Sequence, residues 1–293
     1  MLSGFTTFAT LWGNWFDCFR LGDDYRHVRR VHGLDHLHPP VKWDCTICAI
    51  GSRSCLGRAA DLGESVGMTY LLTPTGGRPE ALALLAGYIA AQDYKGPFKW
   101  IICDDCEPVS PHPRVSFPVA HHRAPWTWDG ENTQARSMAY LLSLVPDGAT
   151  IVVMEDDDLY KPDHLTTMVE ALKTHDLVGQ RVSYYANVKT GRCLELPGTY
   201  HASLGASAMK GDATRHLRRI CEAGARHLDV TLWREFGGSK RLLDAQTAIG
   251  IKGLPGRGGI GIGHRDTFGE PGGQTVRQWI GDERYSEYRK LAA

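Results

Sequence analysis

The chain has 293 residues, enough for one large α/β domain with an appendage and a substantial core, and nothing in its length requires two full domains. Lysine plus arginine balance aspartate plus glutamate at 33 each, so the formal net charge is zero. No global field favours nucleic acid or an anionic membrane, and a polyanionic partner must be held locally.

The eight cysteines raise the question of an oxidised protein. No segment has the charged start, apolar middle and small-residue cleavage site of a secretory signal, so a reduced, cytoplasmic setting is expected. The apolar opening from Phe5 to Phe16 is broken by Gly13 and Asn14 and is far shorter than the roughly 20 residues of a membrane span. A soluble chain without a membrane span is expected.

Residues 1–67 are rich in Trp, His, Arg and Cys and sustain neither a helical nor a strand period. Cys45, Cys48 and Cys55, with His32, His36 and His38 upstream, are ligand types that suit tetrahedral Zn²⁺, although they do not form two clean pairs. Three readings stay open for this N-terminal extension: disordered, zinc-bearing, or not native. The last, with a natural start at Met68, is preferred to zinc because the texture changes abruptly near Gly67.

From Met68 onward, short β-like runs alternate with amphipathic helical stretches, the pattern of an α/β sheet domain over residues 68–293. The first strand is Thr69 to Thr73, followed by a turn through Pro74, Gly76 and Gly77. Pro79 suits the first position of a helix, Glu80 complements its dipole, and Leu82, Leu85, Tyr88 and Ile89 form its apolar stripe. A second strand, Trp100 to Cys103, ends on Asp104 and Asp105. Cys103 and Cys106 flank those aspartates without the helix of a redox motif and are read as structural.

A helix over about 133–145 leads through Pro146-Asp147-Gly148 into a strand from Thr150 to Met154, apolar on both faces and so expected at the centre of the sheet. It delivers Glu155-Asp156-Asp157-Asp158. A helix starting near Pro162 is expected to turn Leu165, Met168, Val169 and Leu172 inward. Strands on either side of Lys189-Thr190-Gly191 predict a hairpin. Leu204 to Phe236 reads as a strand and two helices, and Gly250 to Gly263 as a loop too flexible to be a core element without help.

Four consecutive carboxylates at a strand end repel one another, and a fold keeps them most easily when a cation neutralises them. Oxygen-only ligands favour Mg²⁺ or Mn²⁺. A divalent ion with few protein ligands keeps positions open for diphosphate oxygens. The blander alternative is a solvated loop in which Asp158 or Asp163 caps the next helix. The apolar strand feeding the run favours the metal, because open α/β sheets bind ligands at the carboxyl ends of their strands.

The stretch IVVMEDDDLYKPDHL resembles the strand, acidic DxD-type motif and helix start of family 2 glycosyltransferases with the GT-A fold. YLLTPTGGRPEALALLAGYIAAQDY is similar to their opening strand, nucleotide loop and first helix, and FKWIICDDCEP to their second strand. The resemblance covers most of residues 68–236 and implies a mixed, mostly parallel sheet flanked by helices. It implies that Thr73 and Thr75 lie beside a nucleotide, and that Asp105, with Asp104, accepts hydrogen bonds from a uracil-type base. Turn formation before Pro108 is the equal alternative for the two aspartates. Arg78 either contacts a phosphate or pairs with Glu80.

The first acidic position of the motif falls on Glu155 or Asp156, which the resemblance places beside the donor nucleotide; Asp156, Asp157 and Asp158 are the expected metal ligands, Asp157 in either register. His264, in GGIGIGHRDTFG, resembles a histidine that completes the metal site late in the chain, with Arg265 near a phosphate. Asp229, in RHLDVTLWREF, resembles the acid that acts as general base; as a helix N-cap it would need no such role. The expected reaction is transfer of a sugar from a nucleoside-diphosphate donor, UDP-sugars favoured, to a hydroxyl acceptor, with inversion and with Mn²⁺ or Mg²⁺. A non-catalytic GT-A-like binding module and a sugar nucleotidyltransferase are the alternatives. Trp126, Trp128 and Trp233 are candidates to stack on a sugar or base, or else core.

Overall fold

The computed structural model of the protein describes residues 67–257, 265 and 267–292. The zinc reading of Cys45, Cys48 and Cys55 and the ligand role of His264 fall outside the described residues.

The chain opens with strand β1 (Thr69–Thr75), helix α1 (Pro79–Ala90), β2 (Phe98–Asp104) and β3 (Val119–Arg123). Helix α2 (Gln134–Ser143), β4 (Thr150–Val153), β5 (Asp158–Tyr160), α3 (His164–Leu172) and β6 (Leu177–Gln180) follow. Next come the hairpin β7 (Val182–Asn187) and β8 (Arg192–Pro197), then β9 (Ser207–Met209), α4 (Asp212–Glu222) and α5 (Leu228–Glu235). Strands β10 (Lys240–Leu243), β11 (Ala248–Lys252) and β12 (Glu270–Pro271) precede helices α6 (Gly273–Ile280) and α7 (Asp282–Ala292). Among the described residues no helix is long and apolar enough to cross a membrane.

The main sheet has seven strands in the order β10-β6-β9-β4-β1-β2-β3. Four of its six pairings are parallel, and the antiparallel ones are both made by β9, so the expected mixed, mostly parallel sheet is what the chain forms. Strand β1 lies between β2 and β4 and is buried on both faces. Leu71 packs with Trp100, Ile102 and Val152 against α1 and α3, while Tyr70 and Leu72 join Ile101, Ile151 and Val153 beneath α2 and α4. Double burial is why these strands read as unbroken apolar runs. Leu71 is fully buried, and truncating such a side chain to Ala typically costs about 2–5 kcal/mol.

Helix α1 starts at Pro79 as expected and buries Leu82, Leu85, Tyr88 and Ile89. In α3 the buried stripe is His164, Leu165, Met168 and Leu172; Val169, expected inward, is only partly buried. The turn at Lys189-Thr190-Gly191 closes the expected hairpin, with Gly191 at φ 68°, in the left-handed region that Gly adopts without a Cβ penalty.

A second sheet of five strands, in the order β12-β8-β7-β11-β5, corrects one expectation and removes the blander alternative for the acidic run. The start of the Gly-rich stretch is not loop: Ala248–Lys252 is β11, buried along its whole length. A Cβ on Gly250 would come within 2.7 Å of the Tyr185 ring, so this glycine serves close packing rather than flexibility. The acidic run does not pass as a loop into the next helix either. Asp158 begins β5 and pairs opposite Gly250, and Asp163 makes no side-chain cap on α3.

Candidate active site

Strands β1, β2 and β4 run parallel and in register, with Thr75 beside Asp104 and Leu72 beside Val153, so their carboxyl ends open on the same side. Above those ends lies a cleft of about 570 Å³. Its walls include Thr75, Arg78 and Asp105 from the first two strand ends, the whole acidic run, Gln134, Asp229 and Lys252.

The acidic residues are divided among different partners. Asp156 is buried and accepts from the Thr75 hydroxyl at 2.6 Å and from Arg78 Nη2 at 2.7 Å. Asp157 meets Arg78 Nη1 at 2.9 Å and Lys252 Nζ at 3.0 Å through Oδ2, and Asp158 Oδ1 lies 3.5 Å from the same Nζ. Glu155 accepts from Gln134 Nε2 at 2.6 Å, and its backbone N–H donates to the Tyr160 hydroxyl at 2.7 Å. That hydroxyl donates onward to the Gly205 carbonyl at 2.9 Å. A Cβ at Gly205 would stand 2.7 Å from Asp158 Oδ2, so a glycine is needed where this backbone meets the carboxylates.

Charge is incompletely balanced here. Burial, reinforced by Asp158 and Asp157, pushes the Glu155 carboxyl up to about 8. Burial also pushes Asp158 up to about 6, against the pull of Lys252, and raises Asp156 against the pull of Arg78. Arg78 and Lys252 are both held above their ordinary ranges, because the surrounding carboxylates outweigh the burial that would lower them. Two cations thus face four carboxylates.

Oxygens from Glu155, Asp157 and Asp158 lie within 4.8 Å of one another. Hard oxygen donors that converge, with negative charge left over, fit a divalent ion such as Mg²⁺ or Mn²⁺. Asp156, named as a ligand from sequence, is not one of the three; both of its oxygens are engaged by Thr75 and Arg78. Of the two residues competing for the first acidic position, it is Glu155 that joins Asp157 and Asp158.

The remaining sequence candidates separate in the same way. Thr73 is fully buried: its hydroxyl donates to the Met154 carbonyl at 2.6 Å and accepts from Trp100 Nε1 at 2.9 Å, tying three strands together below the cleft. Asp104 accepts from the Cys106 and Ser110 backbone N–H groups at 2.9 and 2.8 Å. Burial tends to raise its pKa, yet His121 and those N–H groups hold it below the usual carboxylate range. Asp104 therefore shapes the turn, while Asp105 faces the cleft, paired with Arg257 and accepting from Thr133. Arg78 turns inward to Asp156 and Asp157, not to Glu80.

Asp229 is not the N-cap of α5, a position taken by His227; it lies within the first turn, partly buried, and lines the cleft. Arg265 is exposed. Trp233 is core and donates to Ser207 Oγ at 3.3 Å, Trp126 is edge-on to Tyr140, and Trp128 is 45% exposed under the Arg257 guanidinium. Burial pushes the Cys103 thiol up to about 12, which suits a structural role.

Sequence reasoning missed Lys252, Gln134, Tyr160 and Arg257. Only Lys252 carried a signal, as a lone charge in the apolar run AIGIK. Gln134 and Arg257 reach the cleft from a helix and a loop, and Tyr160 supports the Glu155 backbone from the core below it, approaches that no local pattern encodes.

No protein-family model and no curated protein matches the sequence. Among solved structures, the chain is similar to TarS 1-349 of S. aureus, with a TM-score of 0.42 and 11% identity over 63% of this chain and 60% of that one. It is also similar to the mannosyltransferase PcManGT from Pyrobaculum calidifontis, solved with GDP-Man and Mn²⁺, at a TM-score of 0.44 and 14% identity over 65% of this chain and 58% of that one. TarS 1-349 in complex with UDP-GlcNAc gives 0.43 and 10% identity over 77% of this chain and 70% of that one. This chain thus spans about 60% of the length of the first two.

Proposed function

We propose that the protein is a GT-A-type glycosyltransferase that moves a sugar from a nucleoside-diphosphate donor, UDP-sugars favoured, to a hydroxyl acceptor with inversion, using Mn²⁺ or Mg²⁺. The observation that carries this reading is the convergence of Glu155, Asp157 and Asp158 in one cleft with Thr75, Asp105 and Asp229. Glu155, Asp157 and Asp158 would hold the ion. When bound, it supplies Lewis-acid stabilisation of the charge that builds on the departing diphosphate.

The chain's own side chains account for the rest. Asp105, a nearly buried carboxylate at the cleft wall, accepts the N–H of a pyrimidine base in exchange for part of its contact with Arg257. Arg78 holds Asp156 and Asp157 in place through its Nη2 and Nη1 groups and brings positive charge to where a diphosphate enters. Asp229 takes the proton of the acceptor hydroxyl as its oxygen attacks the anomeric carbon, opposite the leaving diphosphate.

The test is incubation of purified protein with Mn²⁺ and a panel of UDP- and GDP-sugars, reading binding and slow donor hydrolysis by mass spectrometry. At least one donor should be bound and hydrolysed, and EDTA should stop hydrolysis. Absence of both binding and hydrolysis across the panel would sink the reading.

A further inference from the structure

Among the described residues, Lys252 is the cation that reaches the acidic run from the second sheet. Its side chain is 5% exposed, and its ammonium stands 3.0 Å from Asp157 Oδ2 and 3.5 Å from Asp158 Oδ1. The ammonium also lies over the Tyr185 ring, 5.9 Å from its centroid. A buried ammonium is kept in such a place only by the carboxylates that compensate it.

Backbone geometry fixes this placement. The Ile251 N–H donates to the Asp157 carbonyl at 2.9 Å, and Gly250 pairs opposite Asp158. On its other side β11 runs parallel to β7, with Lys252 beside Asn187, and the Lys252 carbonyl accepts from Val188 N at 2.9 Å. The strand that carries the ammonium is thus stitched to the strand that carries the carboxylates.

Asp157 and Asp158 are also two of the three residues whose oxygens converge for a metal. An ion held there and an ammonium within 3.5 Å of two of its ligands draw on the same oxygens and repel each other at short range. Both cannot be held at full strength. The cleft that Lys252 lines has room above the carboxylates for an anion to take up the ammonium.

We propose that Lys252 is a built-in counter-ion that competes with the divalent ion for Asp157 and Asp158. The ion therefore binds weakly to the empty cleft and tightly once a nucleoside diphosphate is present to receive the ammonium. Metal and donor are thereby coupled, and Lys252 acts as a positioning residue through Asp157 and Asp158. This inference rests on the metal reading of the site but not on sugar transfer.

The experiment is calorimetric titration of Mn²⁺ into the full chain, with and without UDP. In the wild type, UDP should tighten Mn²⁺ at least about tenfold, the differential affinity that coupling of this kind typically gives. Lys252→Met should bind Mn²⁺ at least about tenfold more tightly than the wild type without UDP, and the UDP effect should shrink. Lys252→Arg, which keeps the charge, should bind weakly again. Equal or weaker Mn²⁺ binding by Lys252→Met overturns the proposal and leaves the metal reading standing. Absence of Mn²⁺ binding to every form, with or without UDP, overturns both. If Lys252→Met does not fold, Lys252→Gln takes its place with the same expected and overturning outcomes, and wild-type Mn²⁺ affinity indifferent to UDP overturns the coupling in either case.

Discussion

The two walls of the cleft neutralise the same acidic run by different means. On the main-sheet side, Arg78 comes from the turn after β1, is 15% exposed, and shares its guanidinium between Asp156 and Asp157. On the second-sheet side, Lys252 is held on a buried strand at 5% exposure and faces Asp157 and Asp158. A planar fork on a turn can bridge two carboxylates and still face solvent, whereas a point charge on a buried strand has no exit except into the cleft. Asp157, common to both walls, is therefore the balance point of the site, with Asp156 committed to one side and Asp158 to the other.

That contrast can be broken most severely at the residue outside it. Asp229 touches neither cation in the described contacts, so Asp229→Asn should cut transfer about 10²–10⁴-fold while Mn²⁺ affinity and the urea midpoint stay as in the wild type. A parallel loss of Mn²⁺ affinity would place Asp229 with the metal ligands instead.

The two cations themselves come next. Removing one member of a buried ion pair costs about 3–5 kcal/mol, so Lys252→Met should lower the metal-free unfolding free energy by about that much. Arg78→Met should cost less, since its head is more exposed. Urea denaturation with and without Mn²⁺ tests the order, and added Mn²⁺ should restore part of the loss in Lys252→Met. Equal costs would remove the distinction between the walls.

Acid should loosen the second-sheet wall through His164. This side chain is fully buried beside Tyr160 and bonded to Thr247 at 2.9 Å, just ahead of β11, and burial pushes it down to about 3. An unfolded histidine takes its proton near pH 6.5, so between about pH 6.5 and 3 the unfolded chain binds the extra proton and stability falls as pH falls. From pH 6.5 to 4.5 this contributes a loss of about 2–3 kcal/mol. Comparing urea midpoints of the wild type and His164→Gln across that range isolates it from the carboxylates, whose raised pKa values act in the opposite sense. Identical slopes would remove His164 as the cause.

The smallest expected effect is on the main-sheet wall. Thr75→Val removes the hydroxyl bonded to Asp156 at 2.6 Å and should cost about 1–2 kcal/mol, because a buried carboxylate oxygen loses its donor. Thermal melting checks it, and an unchanged Tm would mean that Arg78 alone holds Asp156.

Much of the main sheet was legible because its strands carry their own signal. Leu71, Leu72, Ile151 and Val152 form doubly buried runs, and Pro79 with its apolar stripe marks α1 without help from distant residues. The second sheet was not legible. β5 has three residues, and β11 contains a glycine and a lysine, so β5 depends on β11, and β11 on both β5 and β7, for its existence. Gly250 reads as flexibility in the sequence and is packing in the fold, because the reason for it is the Tyr185 ring 65 positions earlier.

The gathering of carboxylates at the end of a buried strand was readable in the sequence alone, because the four acids follow directly on an apolar run. The sequence also singled out Asp157 as the metal ligand expected in either register of the motif. Only the tertiary structure decided how the charges are shared: which acid faces Arg78, which faces Lys252, that Asp104 belongs to a turn and Asp105 to the cleft. The physical reason is that hydrophobic period is a local property of the chain. Electrostatic compensation is set by distances of a few ångströms between residues far apart in sequence, and these exist only after the two sheets have met.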